Sequence, residues 1–177
     1  MKKIGFLLIL LFALTSNMEA QKSPKSVANG TIDKVDIEIN YGAPSVRGRA
    51  IWGNMEKYGK VWRAGANDNT TVSFSKKVMI DGKELPAGKY GFFIIPNEKG
   101  DWVAIFSKTN DQWGSYEYKQ SEDALRVNIT PLFKKEIQEQ LKYSVEKNTI
   151  DFAWEYSNLS IPIYLFQFLL SKLDDVI

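Results

Sequence analysis

An all-β fold, an antiparallel β-sandwich or jelly-roll-like barrel with a short C-terminal helix, is what this 177-residue sequence predicts. Three observations carry the prediction. Val35, Ile37, Ile39 and Tyr41 alternate with Asp36, Glu38 and Asn40, the period of two that belongs to a half-buried strand. Short runs rich in β-branched and aromatic residues recur between turn signals, among them the hairpin dipeptide Asp81-Gly82. Before the tail no segment keeps a helical period, and about nine short strands are expected to pack as sheet on sheet.

The chain opens with Lys2 and Lys3, an apolar run over residues 4–14 and a polar stretch ending at Ala20, the three regions of a secretory signal. The apolar run is shorter than the roughly 20 residues of a membrane span. Cleavage is expected after Ala20, with an uncleaved anchor as the alternative, and a single β domain over residues 21–163 follows. Residues 21–30 are polar and read as a loose lead-in. After the strand at 35–41 a glycine-rich segment over 45–59 has no period and reads as a long ordered loop. Strands are expected at 70–74 and 77–80, then at 90–95 and 102–106, where WVAIF has the continuous apolar character of a buried strand.

Residues 107–124 are polar and aromatic and read as a second long loop. A strand is expected at 125–129. Over 132–145 a helix started by Thr130 and Pro131 competes with a strand; a helical turn followed by a strand from Leu141 is the preferred reading. The period of two returns through Ile150, Phe152 and Trp154, and 159–163 closes the sheet. In the tail, residues 164–177, apolar residues at 165, 166, 169, 170 and 173 fit a one-faced helix too short to cross a bilayer.

Composition removes several classes of function. A formal charge of +2, with no dense basic block, is too small an electrostatic footprint for nucleic acid. With no His the commonest general base and metal ligand are missing, and with no Cys so are thiolate chemistry, disulfides and a bacterial lipid anchor. No metal or cofactor is expected. Export to the periplasm or beyond, without a membrane span in the mature chain, is the expected localisation. Chemistry is left to carboxylates, hydroxyls, amides, Arg and aromatics.

NYGAPSVRGR at 40–49, IWG at 51–53, YGKVWRAGANDNTT at 58–71, DGKELPAGKYGFF at 81–93 and WG at 113–114 followed by ALRV at 124–127 form a set. Together they resemble the secreted bacterial domain family of unknown function number twenty-nine eleven, over about residues 27–163. The resemblance implies a secreted, compact, mostly β domain and no assigned activity.

The stretch most unlike ordinary core or surface is YGKVWRAGANDNTTVSF, residues 58–74. Arg47, Arg49 and Arg63 are expected to converge on one cleft and grip an anion or an acidic sugar, since Arg offers a bidentate fork that Lys does not. Trp62, Trp113 and Tyr116, with Trp52, supply walls for stacking, and Asn67, Asp68, Thr70 and Thr71 supply polar contacts. The site so composed binds a small anionic or carbohydrate ligand, or a protein partner. One alternative is internal bracing, with Arg63 and Asn67 satisfied inside a structural envelope protein. The other is a carbohydrate- or envelope-acting hydrolase built on two of Asp68, Glu117, Asp123 and Glu155, none of which has a neighbour that singles it out.

Overall fold

Inward-facing apolar residues at every second position organise the chain, and the computed structural model describes residues 22–165. Ten strands form among these residues: β1 Lys25–Ile32, β2 Val35–Gly42, β3 Thr70–Phe74, β4 Val78–Ile80, β5 Lys83–Leu85, β6 Gly88–Ile95, β7 Trp102–Ser107, β8 Asp123–Ile129, β9 Leu132–Val145 and β10 Thr149–Pro162. Six make one antiparallel sheet in the order β1-β2-β3-β6-β7-β8, and β9-β10 and β4-β5 are two-stranded. The large sheet stays open, so of the two expected architectures the sandwich is the one adopted.

The register explains the core. Ile39 lies opposite Val72, Val72 opposite Tyr90, Phe92 opposite Phe106 and Phe106 opposite Leu125, so one face of the sheet is an unbroken apolar layer. The β9–β10 hairpin is the second layer and turns Leu141, Tyr143, Ile150, Phe152 and Trp154 onto that face, all of them buried. Between the layers lie four tryptophans. Trp62 stacks on Trp154 at 5.4 Å and 15°, and Trp52 meets Trp62, Trp102 and Trp154 edge-on at 5.5, 4.5 and 5.6 Å. Such rings bring large buried area and favour edge-to-face geometry, so the cluster ties the 43–69 loop to both layers.

Three expectations about the strands need correction. The lead-in is not loose: β1 pairs with β2 from Lys25 opposite Gly42 to Ile32 opposite Val35, through a two-residue turn in which Asp33 and Lys34 take φ of 47° and 67°. Asp-Lys is an uncommon pair for such a turn, and β1 carries the polar residues of an edge strand, so neither signal was visible. The helical turn expected before Leu141 is absent, because β9 is one strand of 14 residues. Its polar first half is held by pairing of Gln138 with Glu155 and of Phe133 with Ser157. The separate closing strand at 159–163 is likewise part of β10, which bends at Glu155, where φ is 55°.

Tyr164, expected to begin a helix, is extended and exchanges backbone hydrogen bonds of 2.7 and 3.0 Å with Met79. The rest of the expected tail helix and the expected export signal lie outside the described residues. No helix among the described residues is long and apolar enough to cross a membrane.

Truncating the stacked ring, Trp154→Ala, is expected to cost about 3–5 kcal/mol in urea unfolding, whereas Trp113→Ala on the surface is expected to cost less than about 1 kcal/mol. Equal losses at the two positions would contradict the packing described.

Candidate functional site

The WRAGAN segment is a short, tightly held bridge between the two layers. Backbone pairing of Trp62 with Ile94, at 2.8 and 2.9 Å, lays its start against β6. Ala64 then turns at φ 50°, and its carbonyl points into the core, where it accepts hydrogen bonds from the Tyr143 hydroxyl at 2.7 Å and the Thr70 hydroxyl at 3.1 Å. Burial holds the Tyr143 hydroxyl far above its ordinary pKa, with Tyr41 adding to the effect, so it stays a donor. Ala66 N–H donates to Gly42 O at 3.1 Å, and a Cβ on Gly42 would collide with the Ala66 carbonyl. Asn67 turns again at φ 65° and its amide donates to Ser23 O at 3.2 Å.

These constraints set down Asp68 and Asn69 on the outer face of the large sheet, opposite the core. A cleft of about 400 Å³ opens there, walled by Lys25 to Val27 of β1, Asn40 to Gly42 of β2, Ala66 to Asn69, and Thr71, Lys89 and Asn110. Asn69 is 6% exposed and Thr71 5%, yet neither polar atom of the Asn69 amide nor the Thr71 hydroxyl has a hydrogen-bond partner in the protein. The indole nitrogens of Trp52, Trp62 and Trp154, also buried without partners, lie among the core rings, and one carboxylate oxygen each of Asp123 and Asp151 is likewise unmatched; the atoms of Asn69 and Thr71 belong to residues that wall the cleft. Gly91, opposite Thr71, makes the space, since a Cβ there would sit 2.6 Å from the Asn69 amide nitrogen. At the rim Lys25 pairs with Asp68 at 2.9 Å, a solvated ion pair of small energetic worth.

The expected site residues do not form one cluster. Arg63 is half-buried, donates to Asn67 O at 2.8 Å, and lies 5.1 Å from the Trp113 ring centre and 6.0 Å from that of Tyr116. Trp113 and Tyr116, 60% and 79% exposed, stack nearly parallel at 5.9 Å. Their loop joins the cleft through a bridge from Trp113 to Asp68 and a 3.2 Å bond from Asn69 N–H to Gln112 O. Arg49 turns back on its own loop, to Ser45 O at 2.6 Å and Val46 O at 3.0 Å, and the backbone N–H of Arg47 donates to Glu139 Oε1 at 2.8 Å. Trp62, 3% exposed, and Thr70, fully buried, face the core. Asn67 and Asp68 wall the cleft.

Each carboxylate considered for hydrolysis has its own surroundings. Asp68 holds Lys25; Asp123 accepts from Tyr118 at 2.7 Å and faces Arg126 at 3.6 Å; Glu155 accepts from Ile51 N–H at 3.2 Å; Glu117 borders a shallow depression with Lys119 and Glu122.

Two residues escaped the sequence reading. Asn69 sits inside the motif but was no more conspicuous than its polar neighbours; only its buried, unmatched amide beside the cleft marks it. Glu56, half-buried beside Trp52, has its carboxyl pushed up to about 7 by burial, with Arg63 and then Arg49 opposing the shift. Nothing in the sequence around it signals this.

A family model described as "Protein of unknown function (DUF2911)" matches residues 23–163. The chain belongs to this family. The family region takes in every strand described above and the whole cleft. No curated protein and no solved structure matches the chain.

Two outcomes follow from the geometry. Tyr143→Phe leaves the Ala64 carbonyl with one donor fewer in a buried setting and is expected to lower stability by about 1–2 kcal/mol in denaturant unfolding. For Glu56 the folded pKa is raised from 4.5 to about 7, so the folded state holds a proton that the unfolded chain has released between those values. Its contribution is fully present below pH 4.5 and lost as pH rises through 7. The stability of Glu56→Gln relative to wild type is therefore expected to rise across that window, read from melts at successive pH; a difference independent of pH would contradict it.

Proposed function

We propose that this chain is an exported binding module of the β-sandwich type, and that its ligand is a small polar molecule held in the cleft beside the WRAGAN segment. The single observation that carries the reading is that the polar atoms of Asn69 and Thr71 are buried and without partners in the protein, on two residues that wall one cleft. Buried polar groups in folded proteins are almost always hydrogen-bonded, and leaving one unmatched costs about 1–3 kcal/mol. A guest that supplies those bonds recovers that cost. Asn69 presents a donor and an acceptor together, and the rim is charge-balanced by Lys25 and Asp68, so a hydroxylated neutral ligand suits the cleft better than a bare anion. The export half of the reading rests on the signal-like residues 1–20.

A second reading, in which the motif is internal bracing of a structural protein, draws on the inward bonds of Ala64, Arg63 and Asn67. Bracing accounts for Arg63 and Thr70 but not for the outward-facing Asn69 and Thr71. The two readings separate at Thr71→Val. Removing an unmatched hydroxyl in favour of an isosteric methyl is expected to leave the free protein equally stable or to raise its stability by up to about 1 kcal/mol. In a thermal-shift panel of sugars, polyols and carboxylates, the wild type is expected to be stabilised by hydroxylated compounds and the variant by none of them. A melting temperature indifferent to the whole panel would overturn the binding reading.

A further inference from the structure

We infer that the cleft is one end of a longer groove, and that the ligand is an uncharged glycan chain lying across the outer face of the large sheet. The inference rests on the binding reading above and adds the class and length of the ligand. A second depression, of about 600 Å³, lies beside the cleft; it is walled by residues of the same strands β1, β2, β3 and β6, and Lys89 borders both. The register makes the two continuous. Val27, Asn40, Thr71 and Gly91 form one row across the four strands, and Asn29, Glu38, Ser73 and Lys89 form the next row on the same face. Along β3 the lining runs from Thr71 through Ser73 to Ser75, about 13 Å at the usual rise per residue. That length exceeds one sugar ring and suits a di- or trisaccharide.

The chemistry of the lining selects the class. Its reach is supplied by amides and hydroxyls, those of Asn29, Asn69, Thr71, Ser73, Ser75 and Asn110. Amides and hydroxyls both donate and accept, as a sugar hydroxyl requires. The Asn110 amide nitrogen already donates to Lys89 O and Lys108 O, which leaves its oxygen, and the Ser75 oxygen already accepts from Asp36 N–H. Charges of both signs are interspersed, Lys25 and Lys89 with Asp36, Glu38 and Asp68, so the groove has no single-signed field to draw in an anion. A peptide that extends the sheet would pair along the free edge of β1, beside the groove, whereas a guest lying across the face meets β2, β3 and β6, interior strands whose backbone groups are already paired. At the Asn69 end the loop bridged to Asp68 carries the exposed, parallel rings of Trp113 and Tyr116, flat surfaces of the kind that stack on the C–H face of a sugar.

The test is isothermal titration of the protein with glucose, cellobiose and cellotriose, with N-acetylglucosamine and its di- and trimer, and with inorganic phosphate and citrate. Affinity is expected to rise about tenfold or more from monomer to trimer in at least one neutral series. Ser73→Phe, which fills the second depression from a solvent-facing position, is expected to abolish that rise while circular dichroism and melting temperature report an intact fold. Equal affinity for monomer and trimer, or binding of the anions alone, would overturn the glycan inference and leave the cleft as a binding site. Failure of every sugar and anion would remove both.

Discussion

The carbonyl oxygen of Ala64 holds the molecule's two layers to its outer face. It accepts one hydroxyl from Tyr143 on β9 and one from Thr70 on β3, both inside the core. A buried carbonyl with two donors is costly to disturb, because either donor lost leaves polar atoms without water or partner. The loop on either side must therefore follow a fixed course. Upstream, Trp62 enters the tryptophan cluster; downstream, Asn67 reverses direction and delivers Asp68 and Asn69 to the far side of the sheet. Left-handed backbone at Ala64 and Asn67 is tolerated because these bonds over-determine the conformation.

The outer face is consequently divided. Over β6, β7 and β8 it is roofed: Phe93 packs edge-on against Tyr118 at 5.3 Å, and the Tyr118 hydroxyl donates to Asp123, which Arg126 faces from β8. Burial raises the pKa of Asp123 while Tyr118 and Arg126 counter it. Over β1, β2 and β3 the same face is open and lined by amides and hydroxyls. A sheet with one face in the core and the other half-roofed is a rigid floor with a wall, and over the interior strands β2 and β3 that floor presents side chains, because their backbone groups are already paired. The side chains that line the open part are mostly Asn, Thr and Ser, while Arg49 and Arg63 bond to loop carbonyls.

Arg49 and Arg63 bond to carbonyls of their own loops. Arg49 closes its own turn, and Arg63 closes the WRAGAN turn at Asn67 O while its flat guanidinium lies beside Trp113 and Tyr116. Planarity and a fixed fork of donors serve a carbonyl and a ring together, which explains why a motif rich in Arg and Trp need not describe an anion site.

Much of this was written locally in the chain. A period of two located β2 and the start of β10, apolar runs located β3, β6, β7 and β8, and Asp81-Gly82 marked the β4–β5 turn, where both residues take positive φ. The motif at 58–71 helped to identify the family and marked a tightly turned segment, where small residues, turn formers and aromatics cluster because the backbone must pass closely. Pairing partners were not local. The polar strands β1 and the first half of β9 exist because β2 and β10 complete their hydrogen bonds, and no propensity of their own announces them. The same limit applied to the site: Thr70 and Thr71 are indistinguishable by composition, and only the register of β3 against β2 and β6 turns one into the core and the other into the cleft. Sequence alone determined which residues could strand, turn and cluster. Which of them face each other, and so which amide lies unmatched over Gly91, was decided by tertiary structure, because a single-residue shift in register reverses every side chain on a strand.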